Sequence, residues 1–357
     1  MASPCVGLDI GSSAIKAVVL DQSRRGTRLV HFGIEYLPAR AVVDGAVMDR
    51  PAVVEAIARL KAALGLGNRP VATAISGHSV IVKKIQMPAM GREQIAERIP
   101  AEAEQHIPFK RDEVDLDYQA TPSRSDPAKL DIILVAAKKD MISEYLQVIR
   151  DAKLRPAVLD VAAFSVQNAF ESAYGEADQA DRAGAVALVH VGNAVTHVNV
   201  VSGGTSVFVR DVAVGGAAFT DEIHRRLEVS LDDAEHFKIT GGDAAAGDES
   251  IPDGLDAIID EVAESTAAKI QRSIDFFLAT APDVKLTRML LSGGSVHLGA
   301  LCRQFEQRSK APVEIMDPFR RTTVDAAKLE PDFVTAHAAE AAVAFGLALR
   351  RPGDGEP

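Results

Sequence analysis

The sequence predicts an α/β protein with two similar lobes and a small α+β unit inserted into the first lobe. One apolar run breaks at Gly11 and resumes at Ile15, which is the pattern of a strand, a tight turn and a second strand. The same pattern recurs at residues 187–201, and such recurrence indicates a duplicated architecture. Between residues 78 and 156 a different succession of strands and helices interrupts the first half.

The first hairpin has the residue types of a phosphate site. Gly11 has no Cβ, so backbone N–H groups near it can approach a bound anion. Ser12 and Ser13 add hydroxyl donors, and Lys16 adds a positive charge. Asp9 stands where a carboxylate can hold a metal ion or its waters. Taken alone, these residues also fit an ordinary N-terminal hairpin.

The second hairpin aligns with the first one. When the two stretches are superimposed, Gly192 falls on the first glycine, Asn193 on the first serine and His190 on the aspartate. A third glycine element, Ser292–Ser295, follows another apolar strand. The sequence therefore contains two matched turns, one in each of two related halves, and a glycine loop late in the second half.

Bulk properties set limits on the function. The chain has 357 residues, of which 47% are hydrophobic and 25% charged, so it has globular composition and material for roughly two domains. The net charge of −11 argues against a broad nucleic-acid surface. Cys5 and Cys302 are far apart in sequence, so a reducing compartment fits. Residues 1–4 lack a signal-peptide pattern and no apolar run reaches ~20 residues, so we expect a cytoplasmic protein.

The remaining elements of the first half are predicted from periodicity. In the parent lobe we expect a strand at Leu29–Tyr36, a helix at Pro51–Leu64 with Asp49 as its N-cap, and strands at Val71–Ser76 and Pro156–Val161. In the insert we expect strands at Val80–Gln86, Leu116–Thr121 and Leu130–Ala137, and helices at Arg92–His106 and Asp140–Ala152.

The second half continues with strands at Val207–Val212, 288–292 and Val313–Met316, and helices at Phe219–Leu227, 232–238, Gly254–Thr280 and Asp332–Leu349. A hinge is expected at Tyr174–Gly184, a mobile loop at Thr240–Asp253 and a polar tail after Arg350. The predicted domains are a first lobe (1–77 and 157–183), the insert (78–156), a second lobe (184–225 and 282–350) with a subdomain at 226–281, and a tail (351–357).

The ordered set of motifs resembles the actin-like ATPase superfamily, which includes actin, sugar kinases and heat-shock chaperone ATPases. The resemblance implies an actin-like ATPase fold of two duplicated ribonuclease-H-like lobes. The early insert is similar to those of the cell-division protein FtsA and of the PilM family of type IV pilus assembly proteins. The PilM family is nearest over residues 8–350, on Val6–Lys16, Ala72–Gly77 with Gln86–Pro88, Glu102–Phe109 with Asp117 and Tyr118, Asp160–Ala169 and Ser292–Ser295.

This resemblance implies ATP and Mg²⁺ in a cleft between the lobes. It also implies that the insert holds the cytoplasmic N-terminal peptide of the membrane protein PilN. Other pilus platform or motor proteins and a ring beneath the inner membrane are further implied partners, with membrane contact through proteins only. The end of the chain from Arg350 to Pro357 has no apolar face, unlike the membrane-binding helix that ends FtsA.

The resemblance also assigns roles to single residues. The nucleotide-binding residues it implies are Gly11, Ser12, Ser13 and Lys16 on one side of the phosphates, Gly192, Asn193 and Thr196 on the other, Gly215 and Gly216 near the sugar, Glu235 and Lys238 near ribose and adenine, and Gly293, Gly294 and Ser295 beneath the nucleoside, with Asp9 in the magnesium shell. The alternative for Gly215 and Gly216 is a simple turn, and that for Glu235 and Lys238 is a surface ion pair worth ~0.2–0.5 kcal/mol.

His190 departs from the superfamily, in which an aspartate commonly occupies this position. A neutral imidazole has no fixed negative charge and is a poor ligand for Mg²⁺. Because phosphoryl transfer depends on the metal and on an oriented nucleophile, we expect ATP binding with slow or absent turnover. The alternative is that His190 is a packed strand residue.

Two other functions share these motifs. One is an FtsA-like, filament-forming cell-division protein. The other is a sugar or carboxylate kinase, which would need a catalytic aspartate and a substrate pocket. Neither a catalytic general base nor the residues that grip a partner peptide can be named from the sequence.

Overall fold

The structure of the protein is a computed structural model that describes residues 5–24, 26–123, 126–175, 184–241, 252–281 and 283–354. Most of the predicted hinge and loop, and the end of the tail, lie outside these ranges.

The strands are, in chain order, β1 (Val6–Ile10), β2 (Ala14–Ser23), β3 (Gly26–Tyr36), β4 (Val42–Val43), β5 (Ala46–Val47), β6 (Pro70–Ile75), β7 (Val80–Pro88), β8 (Val114–Pro122), β9 (Lys129–Lys138), β10 (Arg155–Val161), β11 (Ala185–Val191), β12 (Thr196–Ser202), β13 (Thr205–Val212), β14 (Leu286–Ser292), β15 (Val313–Ile315) and β16 (Thr322–Val324). The helices are α1 (Arg50–Ala63), α2 (Arg92–His106), α3 (Lys139–Asp151), α4 (Ala162–Tyr174), α5 (Ala217–Leu227), α6 (Leu231–Gly241), α7 (Leu255–Thr280), α8 (Gly299–Arg308), α9 (Pro331–Ala336) and α10 (Ala342–Ala348).

Two sheets repeat one topology. The first sheet has the order β10-β6-β1-β2-β3-β16, and the second has the order β13-β12-β11-β14-β15. In each, the first three strands of the lobe form an antiparallel meander. A later strand pairs in parallel with the first strand of the meander, and one more parallel strand pairs with that later strand. The duplication predicted from the two hairpins is therefore present in the strand order. The sixth strand, β16, was not predicted; it comes from the far end of the chain and pairs with β3.

The two hairpin turns also share their hydrogen bonding. The Gly11 N–H donates to the Ala14 carbonyl at 3.1 Å, and the Gly192 N–H donates to the Val195 carbonyl at 3.2 Å. Both turns are therefore closed by a bond between residues i and i+3, and they present their tips at the same end of each sheet.

The insert has a core of its own. Strands β7, β9 and β8 form a three-stranded antiparallel sheet, and α2 covers one face of it with Ile95, Ile99 and Ala103. Helix α3 was predicted to belong here, but its buried residues Tyr145 and Val148 pack with the core of the first lobe. The packed unit thus ends near the end of β9, because α3 buries its apolar side against α1 and the first sheet rather than against the insert.

In the described part of the predicted subdomain at 226–281, the buried residues do not form a core of their own. Ile258 and Ile270 of α7 lie in one apolar cluster with Val189 and Val198 of the second sheet. Helix α7 is therefore the layer that covers this sheet, which is the usual way an α/β sheet buries a face.

The end of the chain differs from the prediction of one continuous helix at 332–349. Two helices, α9 and α10, are separated by a short 3₁₀ turn at Ala339–Ala341. The reason lies in the second lobe, since the Ala339 carbonyl accepts a hydrogen bond from the Gly293 N–H at 2.8 Å. The N-cap of α1 was predicted correctly, because the Asp49 carboxylate accepts from the Ala52 N–H at 3.0 Å. In the described ranges, no helix combines the length and the hydropathy of a membrane span.

Small residues let α10 approach its neighbours closely. A Cβ at Gly346 of α10 would clash with the Ser165 carbonyl of α4, and a Cβ at Gly7 of β1 would clash with the Ala344 carbonyl of α10. Helix α4 also lies in one apolar cluster with residues of both sheets, including Val18 and Leu188. This packing fixes how the two lobes meet.

We predict that Gly346→Ala lowers the free energy of unfolding by about 1–3 kcal/mol, because the added methyl group must push two helix backbones apart. Chemical denaturation of the purified protein measures this change. Gly299→Ala, at the start of α8, is the matched control, since its Cβ would meet no atom closer than 3.5 Å. Equal stability of the two variants would contradict the packing described above.

Candidate functional site

The two glycine turns meet across the interface between the lobes. The Ala194 N–H of the second turn donates a hydrogen bond to Ser12 Oγ of the first turn at 3.1 Å. Ser12, Ser13 and Asn193 are all half-buried at this point. The sequence placed these residues in two separate hairpins, and the fold brings them into contact.

The turns leave donors available at this junction. Within the described part of the chain, the backbone N–H groups of Ser12, Ser13 and Asn193 have no hydrogen-bond acceptor. A half-buried N–H without an acceptor is unfavourable unless water or a ligand supplies one. Successive free amides in a tight turn form a concavity that suits an anion.

Two charged side chains of the first hairpin lie beneath this concavity. Lys16 and Asp9 are directly opposite each other on β2 and β1, with 3.6 Å between Lys16 Nζ and an Asp9 carboxylate oxygen. Their side chains are only 11% and 15% exposed, so both charges act in a largely desolvated cleft. Lys16 can bind a phosphate as a point charge, and Asp9 can hold a magnesium ion through water.

The second turn is fastened to α5. The N–H groups of Gly216 and Ala217 donate to the carbonyls of Gly192 and Asn193 at 3.0 and 2.8 Å. A Cβ at Gly215 would clash with the Gly192 carbonyl. The glycines are therefore needed for close approach of two backbones, and the first amides of α5 are used within the protein rather than left for a ligand.

A partly buried polar cluster extends the site along α5 and α6. Lys238 Nζ donates to Glu235 Oε2 at 2.6 Å and to Thr220 Oγ1 at 3.1 Å, and the Thr220 hydroxyl donates to Glu235 at 2.6 Å. The Lys238 side chain is 10% exposed and the Glu235 side chain is 40% exposed, so the ion pair is buried at the lysine and open to solvent at the glutamate. A Cβ at Gly216 would lie 3.5 Å from Lys238 Nζ, so the lysine reaches the same cleft.

The late glycine loop closes the cleft from below. Gly293 has φ of 94°, and a Cβ there would clash with the Val191 carbonyl. Ser295 Oγ donates to the Gly192 carbonyl at 3.0 Å, which ties the loop to the second turn. Gly294 is exposed, so it leaves open backbone toward the cleft.

Thr196 is placed differently from the other predicted site residues. It is fully buried, and its hydroxyl donates to the Val214 carbonyl at 2.7 Å. The side chain thus holds the hairpin to the segment after β13 and does not face the cleft.

His190 is a buried strand residue below the second turn. Its Nδ1 lies 3.0 Å from Ser292 Oγ, and its ring is stacked on His197 with 5.8 Å between the centroids. Burial, together with the charges of His197 and Lys16, lowers the pKa of His190 well below 6.5. A neutral imidazole supplies no fixed charge to the cleft.

A carboxylate that the sequence did not reveal lies next to these histidines. Asp211 of β13 accepts a hydrogen bond from His197 Nδ1 at 2.7 Å and another from the Gly77 N–H of the first lobe at 2.6 Å. Burial alone would lower the pKa of His197, but the charge and hydrogen bond of Asp211 outweigh it and raise the pKa. Burial would likewise raise the pKa of Asp211, but His197 and the Gly77 amide lower it.

Glu340 is a second carboxylate that was missed. It accepts from His337 Nδ1 at 2.9 Å, and His297 Nε2 lies 3.6 Å away. Burial would raise the pKa of Glu340, but the two histidines and the charge of Lys16 lower it to about 2. Its fixed negative charge therefore faces the cleft from the turn between α9 and α10. Neither carboxylate lies in a motif, and only the fold brings them to the site.

The metal predicted at Asp9 has a limited protein donor set. In the residues that the structure describes, no three His, Cys, Asp or Glu side chains are grouped so as to hold a metal ion. Mg²⁺ commonly binds to one or two carboxylates and to substrate phosphates, with water completing its shell. Asp9 fits that mode of binding.

Comparison with known proteins finds a family and a solved structure over nearly the whole chain. The family model described as type IV pilus assembly protein PilM matches residues 7–352. A chain from a PilM–PilN type IV pilus biogenesis complex is 27% identical, with a TM-score of 0.85, and the match covers 98% of this chain and 99% of that chain.

Two further solved structures share the fold at lower identity. The ethanolamine utilization protein EutJ from Carboxydothermus hydrogenoformans is 16% identical with a TM-score of 0.59, covering 98% of this chain and 92% of its own. MreB5 of Spiroplasma citri, bound to ADP, is 13% identical with a TM-score of 0.53, covering 96% and 94%. The fold is the actin-like ATPase fold, as predicted.

We predict that the two stacked histidines titrate on opposite sides of 6.5. At pH 6.5 His190 should be neutral, whereas His197 should be protonated, because Asp211 holds the charge on His197. The stability that His197 contributes is then fully present below pH 6.5 and is lost as the pH rises through its folded pKa. NMR of isotope-labelled histidine rings, assigned with His190→Gln and His197→Gln, measures both pKa values. Similar pKa values near 6.5 would contradict the buried pairing.

Proposed function

This chain belongs to the family of the type IV pilus assembly protein PilM, and we propose that it is a nucleotide-dependent scaffold of the pilus machinery. It binds ATP with Mg²⁺ between its lobes and holds the cytoplasmic N-terminal peptide of PilN on its insert. The observation that supports nucleotide binding most strongly is the meeting of the two glycine turns, whose free amides at Ser12, Ser13 and Asn193 point to an anion.

The rest of the cleft fits the remaining parts of ATP. Lys16 supplies a positive charge beside the free amides, and Asp9 supplies a carboxylate for the magnesium shell. The cluster of Glu235 and Lys238 lies one helix further along, at the position proposed for the ribose and the base. MreB5 of Spiroplasma citri, which has the same fold, was solved with ADP and with AMPPNP bound.

We further propose that hydrolysis is slow or absent. Phosphoryl transfer needs a metal in the right place and an oriented water. His190 is buried, hydrogen-bonded to Ser292 and neutral, so it replaces neither the charge nor the ligand that an aspartate would supply. The scaffold would then hold one nucleotide state for long periods rather than turn over quickly.

The insert offers a surface for the partner peptide. Helix α2 covers one face of its sheet, and the opposite face carries the half-buried Val82 and Val135 beside the buried Ile133, framed by the exposed residues Lys84 and Asp117. Strand β8 is an edge of this sheet, so its outer backbone groups are available to an added strand. An extended segment with apolar and charged residues fits such a surface.

The two ends of this face differ in chemistry. Near β7 it continues into a groove of about 460 Å³ against β13 and α7, where Phe276 is 57% exposed. Near β8 it approaches the buried Asp160, whose Oδ2 lies 3.3 Å from Arg350 Nε without a hydrogen bond. Burial and the charge of Asp117 raise the pKa of Asp160, and Arg350 partly offsets this. Asp160 is therefore closed to the peptide, and the exposed Asp117 is the carboxylate that a basic group of the peptide would meet at this end.

The chain in the PilM–PilN biogenesis complex, at 27% identity, supports PilN as the partner. We also propose that the protein lies in the cytoplasm beneath the inner membrane and is held there by PilN. Contacts with further platform or motor proteins and assembly into a ring belong to the same proposal.

We predict that Lys16→Ala weakens the binding of Mg·ATP by about tenfold or more, because the variant loses the desolvated charge that faces the phosphates. Isothermal titration calorimetry measures the Kd, and release of inorganic phosphate by the wild type should stay well below about 1 s⁻¹. Lys61→Ala is the control, since Lys61 donates to the Ala152 and Lys153 carbonyls away from the cleft. Undiminished binding by Lys16→Ala would place the nucleotide elsewhere.

We predict that Val135→Glu weakens binding of a synthetic PilN N-terminal peptide by about tenfold or more, because it puts a charge at the centre of the sheet face opposite α2. Fluorescence anisotropy of the labelled peptide gives the Kd. Arg98→Glu, on the exposed side of α2, changes charge on the other surface of the insert and should bind like the wild type. If Arg98→Glu bound the peptide more weakly than Val135→Glu, the partner site would lie on α2 instead.

A further inference from the structure

We propose that Asp211 is a positioning residue that couples the second glycine turn to the root of the insert, which is the segment around Gly77 that leads into β7. Asp211 thereby links nucleotide binding to partner binding. The inference rests on the proposed function, since it assumes that ATP and the PilN peptide both bind. It assigns the coupling to one carboxylate that no sequence motif contains.

The first observation is a polar row across four adjacent strands. Ser292 of β14 is opposite His190 of β11, His190 is opposite His197 of β12, and His197 is opposite Asp211 of β13. Directly opposed residues on one face of a sheet contact each other. The row therefore runs as a continuous line of polar groups beneath the second turn.

The links of this row are short. Ser292 Oγ lies 3.0 Å from His190, the two histidine rings are stacked, and His197 Nδ1 lies 2.7 Å from Asp211. Three of the four members are less than 9% exposed, and the side chain of Asp211 is 23% exposed. Polar groups that are buried together in a low dielectric are costly to separate, so the row should move as one unit.

The outer end of the row crosses to the other lobe. Asp211 Oδ2 accepts the hydrogen bond of the Gly77 N–H at 2.6 Å. Gly77 has φ of 85°, and its Cβ position lies 2.6 Å from the Asp44 carbonyl, so the backbone here is tightly confined. A carboxylate of the second lobe thus holds a fixed amide of the first lobe.

That amide lies at the root of the insert. The Gly77 carbonyl accepts from the Val80 N–H at 3.1 Å, at the start of β7. The Ser79 carbonyl accepts from the Lys138 N–H at 3.0 Å, at the end of β9. These two bonds lie where the chain enters and leaves the insert. A shift of Gly77 is therefore transmitted to the sheet that is proposed to hold the peptide.

The middle of the row, formed by the two histidines, lies below the second turn at the proposed nucleotide cleft. His190 precedes Gly192 by two residues, and His197 follows the same turn on β12. The charges of Lys16 and Asp9, from the first lobe, act on His190 and His197 respectively. A triphosphate bound by both turns pulls on the hairpin that carries this row, and Asp211 carries the resulting shift to Gly77.

Asp211→Asn tests the coupling. In Asp211 the two donors use different oxygens, Oδ1 for His197 and Oδ2 for the Gly77 N–H. Asparagine replaces one of these oxygens with an NH2 group, so it cannot accept from both donors. The measured quantity is the ratio of the PilN peptide Kd without nucleotide to that with saturating Mg·AMPPNP, obtained by fluorescence anisotropy on the full chain. Asp44→Asn is the matched control, because Asp44 forms a similar carboxylate–histidine pair with His78 at 2.6 Å, at the same root but within the first lobe.

We expect a ratio of about 5 or more in the wild type and in Asp44→Asn, and a ratio below about 2 in Asp211→Asn. All three proteins should keep their affinity for Mg·AMPPNP. His197→Gln is the second variant, and it should lower the ratio in the same way if Asp211→Asn folds poorly. A purely structural role would weaken both ligands and leave the ratio unchanged, which would overturn the inference.

The failure of the proposed function would look different. If the wild type bound no Mg·AMPPNP or no peptide, the proposed function would itself be wrong. If it bound both ligands with a ratio of 1, the two sites would exist without coupling, and only the role of Asp211 and the nucleotide control of the scaffold would be lost.

Discussion

The contact between the two glycine turns is the constraint on which the rest of the structure depends. Each turn is the tip of a hairpin that opens a sheet, and the two sheets have the same strand order. When such lobes face each other, the tips meet, and Ser12 accepts from the Ala194 amide. The free amides around this contact exist because such tight turns cannot satisfy them internally. The meeting of two turns with free amides between the lobes is thus a consequence of duplication.

The two halves of this site have diverged in their electrostatics. In the first lobe the paired strand positions hold Asp9 and Lys16, a charged pair. In the second lobe the same register holds His190 and His197, and one of these is kept neutral while the other is paired to Asp211. The first lobe can therefore supply charge to phosphate and metal, whereas the second supplies backbone donors and a link to the insert. That division suits a protein that binds nucleotide and transmits its presence.

Local patterns were sufficient to predict much of this. The hairpins at Gly11 and Gly192, the cap at Asp49 and the strands of the insert were predicted because their periodicity and turn chemistry are local. Asp211 was missed because strand register places it opposite His197, and no short motif encodes that register. Glu340 was missed because it lies in a turn near the end of the chain, far in sequence from the glycine motifs. Thr196 follows the second turn in sequence, but strand alternation turns its side chain into the core.

Residue-resolved hydrogen exchange tests the central claim most directly. The account predicts that Mg·AMPPNP slows exchange of the amides of Ser12 and Ser13 in the first turn and of Asn193 in the second, since both turns donate to the same triphosphate. Saturated nucleotide binding with protection in one turn alone, or in neither, would contradict it.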